Sequence, residues 1–306
     1  MTIEHRAHFD FTISFANGGG LSGEGFRLDL PRPDLAADEI AALLVRHLGL
    51  ALVSEVELSG LRIVEEPHRG SRGVDAAPAG VGADRVIDLS HPIEAGLITY
   101  PGLPAPVITP HLTREDSRAK YAPGTEFAMD VITMIGNTGT YLDSPYHRYA
   151  DGGDLASLDL ATLVGVPAEV FHLRDSWSAE RRGIDAVTLA DRDLAGAAVL
   201  LDTGWSNRFG TPEYAVGAPF LTEAGARLLV ESGVRIVGID SLNIDDTESG
   251  GERPAHSILL AAGVHVVEHL TNLDAVPARG ARFTAAPPAV RGFGTFPVRA
   301  FATVSH

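Results

Sequence analysis

The sequence predicts an α/β protein preceded by a small α+β unit, on three observations. From Arg85 onward, apolar strand-like runs mix with helix-like runs. Several of the strand-like runs end in an acidic residue followed by a Gly- or Ser-containing loop, as at Asp202-Thr203-Gly204 and Asp240-Ser241. Sites in α/β proteins often gather at such strand ends. Finally, a run of small residues, Ala76-Ala77-Pro78-Ala79-Gly80, separates this region from residues 1–66.

The first unit, residues 1–66, opens with a strand over His8–Phe15, partly alternating and rich in Phe, Thr and Ile. Asn17-Gly18-Gly19-Gly20 reads as a turn and Gly25–Leu30 as the returning strand of a hairpin. A helix follows from about Ala36 to Leu48, with Ile40, Leu43, Leu44 and His47 on one face, Asp34 as its cap and Gly49 as its stop. Val53–Leu58 and Leu61–Glu65 add strand-like segments. Residues 67–84 have the composition of a flexible linker, and residues 85–306 form the second domain. Its strand candidates are Val86–Leu89, Phe127–Ile135, Ala168–Leu173, Ala198–Asp202, Arg235–Ile239 and His265–Glu268. Its helix candidates are Leu158–Leu163, Thr222–Ser232 and Pro254–Ala262.

Composition narrows the function. The chain has 306 residues, 45% hydrophobic and 21% charged, the balance of a globular protein able to bury a large core. Its net charge is −16, with no basic stripe, which argues against a nucleic-acid or anionic-membrane surface. With no cysteine, disulfides, thiolate metal sites and a Cys nucleophile are excluded. The N-terminal residues lack an apolar core of signal-peptide length, and no apolar stretch approaches the ~20 residues of a membrane span. A cytoplasmic enzyme or binding protein is the expectation. No Gly-x-Ser-x-Gly elbow occurs.

The chemistry-bearing residues concentrate in three places. In Asn137–His147, Gly136 and Gly139 permit close backbone approach or unusual dihedrals, and Pro145 fixes the chain between Asp143 and His147. An Asp and a His on such a loop suit metal binding or proton transfer, or form a plain Asp-capped turn with a solvated His147. Further on, His256 stands near the start of a helix, and Glu268 ends an apolar strand, where a carboxylate needs a partner or a cation. Asp143, His256 and Glu268 make a set suited to Zn²⁺ or Mn²⁺. His265 and His269 flank Glu268, and strand alternation places both at the surface. The third place, Asp240, Asp245 and Asp246, reads as a strand-end turn held by Asx contacts.

These residues, in order, carry a resemblance. From about Val86 to Val304 the chain resembles the cyclase family, which includes bacterial kynurenine formamidases, isatin hydrolases and related lactone or amide hydrolases. The matching stretches are Ile87-Asp88-Leu89-Ser90-His91-Pro92-Ile93, Tyr100-Pro101-Gly102, Thr138–His147, Asp202-Thr203-Gly204-Trp205, Gly238-Ile239-Asp240-Ser241, His256, Glu268 with Asn272-Leu273, and Phe296–Ala300 as a closing strand. The family signature is His-x-Gly-Thr-His-x-Asp-x-Pro-x-His. Here Asn137 and Tyr141 stand at its first two histidines, while Gly139, Thr140, Asp143, Pro145 and His147 are kept.

The resemblance implies a mixed, curved, barrel-like β core of the swivelling β/β/α kind with flanking helices, and a homodimer or homotetramer. It also implies two metal sites. The first, built on both signature histidines and the aspartate, is broken here; the second is complete as Asp143, His256 and Glu268, with His147 in proton transfer. Neutral Asn and a phenol whose pKa is near ~10 are poor substitutes for imidazole at zinc. Three readings follow. One divalent ion, zinc or manganese, supports hydrolysis of a small aryl amide, lactam or lactone, with Asn137 donating to the oxyanion and Tyr141 touching the substrate. Alternatively the pocket works without metal through His147 and Tyr141, or it binds a small molecule without turnover.

Overall fold

The computed structural model describes residues 3–305 apart from 17, 49, 51 and 68–83. Nearly all of the expected linker, with Asn17 of the turn and Gly49 of the helix stop, lies outside the described residues. The chain divides into two compact units, Met1–Val81 and Gly82–His306.

In the first unit, β1 (Ile3–Phe15) is the centre of a three-stranded antiparallel sheet between β2 (Gly20–Leu30) and β3 (Val53–Pro67). Ala7, Phe9, Phe11 and Ile13 alternate inward from β1 and meet Ile40 and Leu44 of α1 (Ala37–His47), while Thr12 and Ser14 face outward. The two strand-like segments expected near residues 53–65 are one continuous strand. Its Gly60 takes a positive φ of 63° where the pairing with β1 shifts register. Asp34 does not cap α1. It bonds Arg32 at 3.0 Å, while the carboxylate of Glu39 reaches back to the Ala36 N–H at 2.9 Å.

The second unit is mixed α/β. Its strands are β4 (Arg85–Asp88), β5 (Val107–Leu112), β6 (Met129–Thr133), β7 (Tyr141–Asp143), β8 (Val166–His172), β9 (Gly183–Ile184), β10 (Ala198–Asp202), β11 (Phe220–Leu221), β12 (Ile236–Ile239), β13 (His265–Glu268), β14 (Ala281–Thr284), β15 (Thr295–Pro297) and β16 (Phe301–Val304). Its helices are α2 (Arg114–Ser117), α3 (Ala186–Leu189), α4 (Glu223–Glu231) and α5 (Pro254–Ala261). Nine strands form one sheet in the order β15-β7-β13-β12-β10-β8-β14-β16-β4, curled into a half-barrel. The four central strands, β8, β10, β12 and β13, run parallel; the flanking pairs are antiparallel.

Parallel strands covered on both faces read as continuous apolar runs, and these do. Ala198 and Leu200 of β10 enter the core on one face, and Val199 and Leu201 the core on the other, where Leu229 of α4 and Leu259 of α5 lie. Each fully buried Leu or Val contributes about 1.5–3 kcal/mol. Thr222 caps α4 by accepting the Gly225 N–H at 3.1 Å.

Three sequence expectations change. Leu158–Leu163 is no α-helix but a single 3₁₀ turn over Leu160–Thr162, because the Asp159 carboxylate takes the Ala161 N–H at 2.9 Å and fixes a tight local cap. The strand expected over Phe127–Ile135 is shorter and lies outside the large sheet, paired only with β5 in a ribbon. The closing strand is β16, paired with β14 and β4, whereas Thr295–Pro297 pairs with β7. Among the described residues no helix is long and apolar enough to cross a membrane.

Gly136 lies hard against β15: a Cβ there would collide with the Thr295 carbonyl. Gly136→Ala is expected to cost about 1–3 kcal/mol through overpacking, read as a lowered urea midpoint at unchanged slope.

Candidate active site

β7 carries the centre of the site. Its register places Tyr141 beside Glu268 of β13, and Asp143 beside Thr295 of β15. Side chains alternate along a strand, so Leu142 enters the core on one face while Tyr141 and Asp143 point to the face beneath α5. The chain then turns through Ser144 into the 3₁₀ turn Pro145–His147, started by a proline at its first position. This brings His147 back over Asp143, with Nδ1 3.6 Å from Oδ1. Gly294 makes the turn possible, since a Cβ there would collide with the backbone of His147.

His256 arrives from α5. Asp245 caps the helix, accepting the Ala255 and His256 N–H groups at 2.6 and 3.0 Å, and the same carboxylate takes His256 Nδ1 at 2.7 Å. Nδ1 is thereby the protonated donor, and Nε2 faces two further carboxylates: Asp143 Oδ2 at 3.5 Å and Glu268 Oε1 at 3.6 Å. Glu268 also accepts the Ile244 N–H at 2.7 Å on Oε1 and the Tyr141 phenol at 2.6 Å on Oε2. The Thr295 hydroxyl bridges Asp143 Oδ1 and His147 Nδ1, the latter at 2.6 Å.

Electrostatically the centre is short of positive charge. Burial alone would disfavour the His256 imidazolium, yet Glu268, Asp143 and Asp245 together raise it to about 10. Burial pushes Glu268 up to about 7. Burial also opposes ionisation of Asp143, but the hydrogen bond from His256 and the charges of His147 and His256 outweigh it and hold that carboxyl below its ordinary value. Burial, then the charges of Glu268 and Asp143, drives the Tyr141 phenol well above 10, and the hydrogen bond from Asn137 counters only part of this. Tyr141 is therefore a fixed donor to Glu268, not an anionic ligand.

The donor set suits a cation. Asp143 Oδ2 is buried without a hydrogen-bond partner. Donor atoms of Asp143, His147 and His256 all lie within 4.8 Å of one another. Glu268 stands beside His256 with both oxygens already accepting one hydrogen bond, which leaves each a free lone pair. A cleft of about 300 Å³ opens over these groups and is lined by Asn137, Tyr141, His147, His256 and Glu268. All six residues singled out in the sequence thus lie in or beside one cleft.

Two histidines lie elsewhere than expected. His265 and His269 are buried, at 6% and 0% exposure. Alternation presumes that one strand face meets solvent, and β13 is covered on both, so His265 lies inside, 3.4 Å from the Thr162 hydroxyl. His269 has left the strand: its φ of 57° turns the ring toward the site, 3.3 Å from the Tyr141 phenol and 2.9 Å from that of Tyr214. Burial, then the neighbouring His91, lowers His269 to about 3, so the ring is neutral. Asp245 and Thr295 also escaped the sequence reading as site residues. Asp245 was legible as a turn residue, and its backbone does accept such a contact, its N–H bonding Asn243 Oδ1 at 3.0 Å. Thr295 carries no local signal, because only strand pairing brings it to Asp143. Asp240, by contrast, is structural, accepting the Thr203 and Gly204 N–H groups at 2.9 and 2.8 Å.

Residues 87–246 match the Cyclase family. The chain belongs to the cyclase family. It is 32% identical over 215 residues to a kynurenine formamidase of Geobacillus thermodenitrificans, covering 70% of this chain and 95% of that protein. A kynurenine formamidase of Bacillus cereus is 29% identical over 214 residues, with the same coverage. Among solved structures, isatin hydrolase A from Labrenzia aggregata bound to benzyl benzoate aligns with a TM-score of 0.64 at 26% identity, over 73% of this chain and 94% of that one. A structure described as a potential metal-dependent hydrolase with cyclase activity aligns with a TM-score of 0.59 at 29% identity, over 73% and 100%. Within this cyclase fold, the first two signature positions hold an Asn–Tyr–Glu hydrogen-bonded chain in place of histidines.

A pH dependence follows for the ion-free protein. The folded-state value of His256 is raised above its ordinary 6.5 to about 10. Its contribution to stability is therefore fully present below 6.5 and is lost as pH rises through 10. Melts in chelator are expected to show a thermal midpoint that falls as pH is raised toward 10, with a flatter profile in His256→Gln.

Proposed function

We propose that the cleft hydrolyses a small aryl formamide, cyclic amide or lactone, using one divalent cation, zinc or manganese, held by Asp143, His256 and Glu268. The observation that carries this reading is the imidazole Nε2 of His256 facing two buried carboxylates, one with an unpartnered oxygen. The family membership and the hydrolases named among its relatives support it. Mixed nitrogen and oxygen donors suit either ion. When bound, the ion supplies Lewis acidity, polarising a carbonyl and lowering the pKa of water toward ~7.

The chain's own groups divide the remaining work. The Thr295 hydroxyl, donating to Asp143, accepts from His147 Nδ1–H, which selects the tautomer with a lone pair on Nε2. That nitrogen accepts a proton from the attacking water and returns it to the leaving nitrogen or oxygen. The Asn137 amide, on the cleft wall, donates to the carbonyl oxygen as negative charge develops. Tyr141 borders the same space as substrate contact and holds Glu268 through its phenol. Because this phenol stays protonated, a metal-free route that uses it as base has no support.

The chain is further inferred to work as a homo-oligomer, dimer or tetramer. The β5–β6 ribbon exposes Val107, Ile108, Phe127, Met129, Val131 and Ile132, each 41–55% accessible, and a two-stranded ribbon is marginal alone in water. A second copy of the chain is the partner that suits this patch. A cysteine-free chain has no use for an oxidising compartment, which supports a cytoplasmic setting.

Elemental analysis of protein purified without chelator is expected to find about one divalent ion per chain. His256→Ala and Glu268→Ala should lose both ion and turnover of formanilides, lactams or lactones, while His147→Ala should keep the ion and lose turnover by about 10²–10⁴-fold. Full ion content in both of the first two variants refutes the ligand assignment. Loss of the ion in His147→Ala makes that imidazole a ligand instead, and ion-free wild-type protein inert to the panel makes the chain a binder. Light scattering should give a dimer or tetramer, shifted toward monomer by Val131→Asp with Ile132→Asp; a wild-type monomer overturns the oligomer.

A further inference from the structure

Two guanidiniums share the cleft with the site. Arg148 follows His147 directly, and Arg253 stands three residues before His256 at the start of α5. Elsewhere in this unit Arg174, Arg182, Arg192, Arg279 and Arg299 each reach a carboxylate. Arg148 and Arg253 reach none among the described residues, in a chain with 40 acidic and 24 basic side chains. Arg253 gives Nη1 to the backbone carbonyls of Asp246 and Glu252 at 3.2 and 2.7 Å, while the Asp246 carboxylate beside it is taken by Arg182. Arg148 lies over the Tyr149 ring, its Cζ 5.3 Å from the centroid, with Nε 3.4 Å from the Ser257 hydroxyl. Ser257 in turn donates to the Arg253 carbonyl at 2.7 Å, linking the two arms.

We infer that Arg148 and Arg253 form an anion subsite, and that the substrate is an aryl amide carrying a carboxylate separate from the bond that breaks. This rests on the hydrolase reading of the cleft. The charge balance argues for it. Asp143, Glu268 and Asp245, one divalent cation and two guanidiniums leave a single positive charge, which one substrate carboxylate neutralises. Guanidinium matches carboxylate through paired N–H donors, and both arms are braced by contacts that leave other donors of the fork unused. A cleft of about 300 Å³ is at the small end for ligand sites and suits a single substituted ring.

The test compares N-formylanthranilate with its neutral isostere 2-formamidobenzamide, and in parallel the binding of benzoate with that of benzamide by calorimetry. Wild-type protein is expected to prefer each anion by at least about tenfold, a preference that Arg148→Gln and Arg253→Gln each reduce by about tenfold. Arg148 is exposed, so its variant folds, and Arg253→Lys keeps the charge but loses the fork and should recover only part of the preference. Benzoate binding that persists in chelator but falls in the arginine variants supports the subsite even if no amide is cleaved, which separates its fate from that of the hydrolase reading. Benzoate binding lost in chelator yet intact in both arginine variants, or no preference for either anion, overturns it.

Discussion

Asp143 and Glu268, both fully buried, converge on the Nε2 of His256, and the placing of this side of the domain follows from keeping those charges together. Buried carboxylates are tolerated only when paired, hydrogen-bonded or bound to a cation. Each has its own support: Thr295 for Asp143, Tyr141 and the Ile244 amide for Glu268, Asp245 for the imidazole between them. Without an ion, the proton on His256 stands in for one, which is why that ring is held charged to about 10. A metal and this proton compete for the same atom, so uptake of one releases the other.

The sheet is the instrument that brings these groups together. β7 is only three residues long, yet it is gripped on both sides, by β13 and β15. Alternation along so short a strand sends Leu142 into the core and leaves its two neighbours facing the helix that carries the imidazole. The substitution of Asn137 and Tyr141 for histidines does not leave a hole. The phenol fills the space, its proton directed at Glu268, and a neutral hydrogen-bonded chain replaces what the family signature devotes to a cation.

Much of this was legible in the chain. Ordered apolar runs read correctly as the parallel strands, Thr222 and Pro254 marked the starts of helices, and the spaced Gly, Asp, Pro and His of the signature pointed to the cleft. What stayed hidden depended on pairing across long separations. Thr295 is an ordinary threonine until β15 aligns it with Asp143, and Asp245 is a turn residue until α5 folds back upon it. The reading of His265 and His269 as surface residues failed for a definite reason: the rule of alternating faces assumes a strand with a wet side, and β13 has none. The ribbon of β5 and β6 is the reverse case, where apolar strand-formers suggest a core and the fold leaves them on the outside.

His269 adopts a left-handed backbone conformation, which costs a non-glycine residue roughly 1–2 kcal/mol. Glycine would relieve that penalty, yet the position carries an imidazole wedged between two phenols, Tyr141 and Tyr214. The ring is uncharged, so it works as a spacer with directional lone pair and proton, not as an ion. The strand therefore ends with a torsional latch: a strained pivot whose side chain secures the residue that secures Glu268. Rigidity of the centre is thus set one layer behind it, by a contact that never meets the solvent or the cleft.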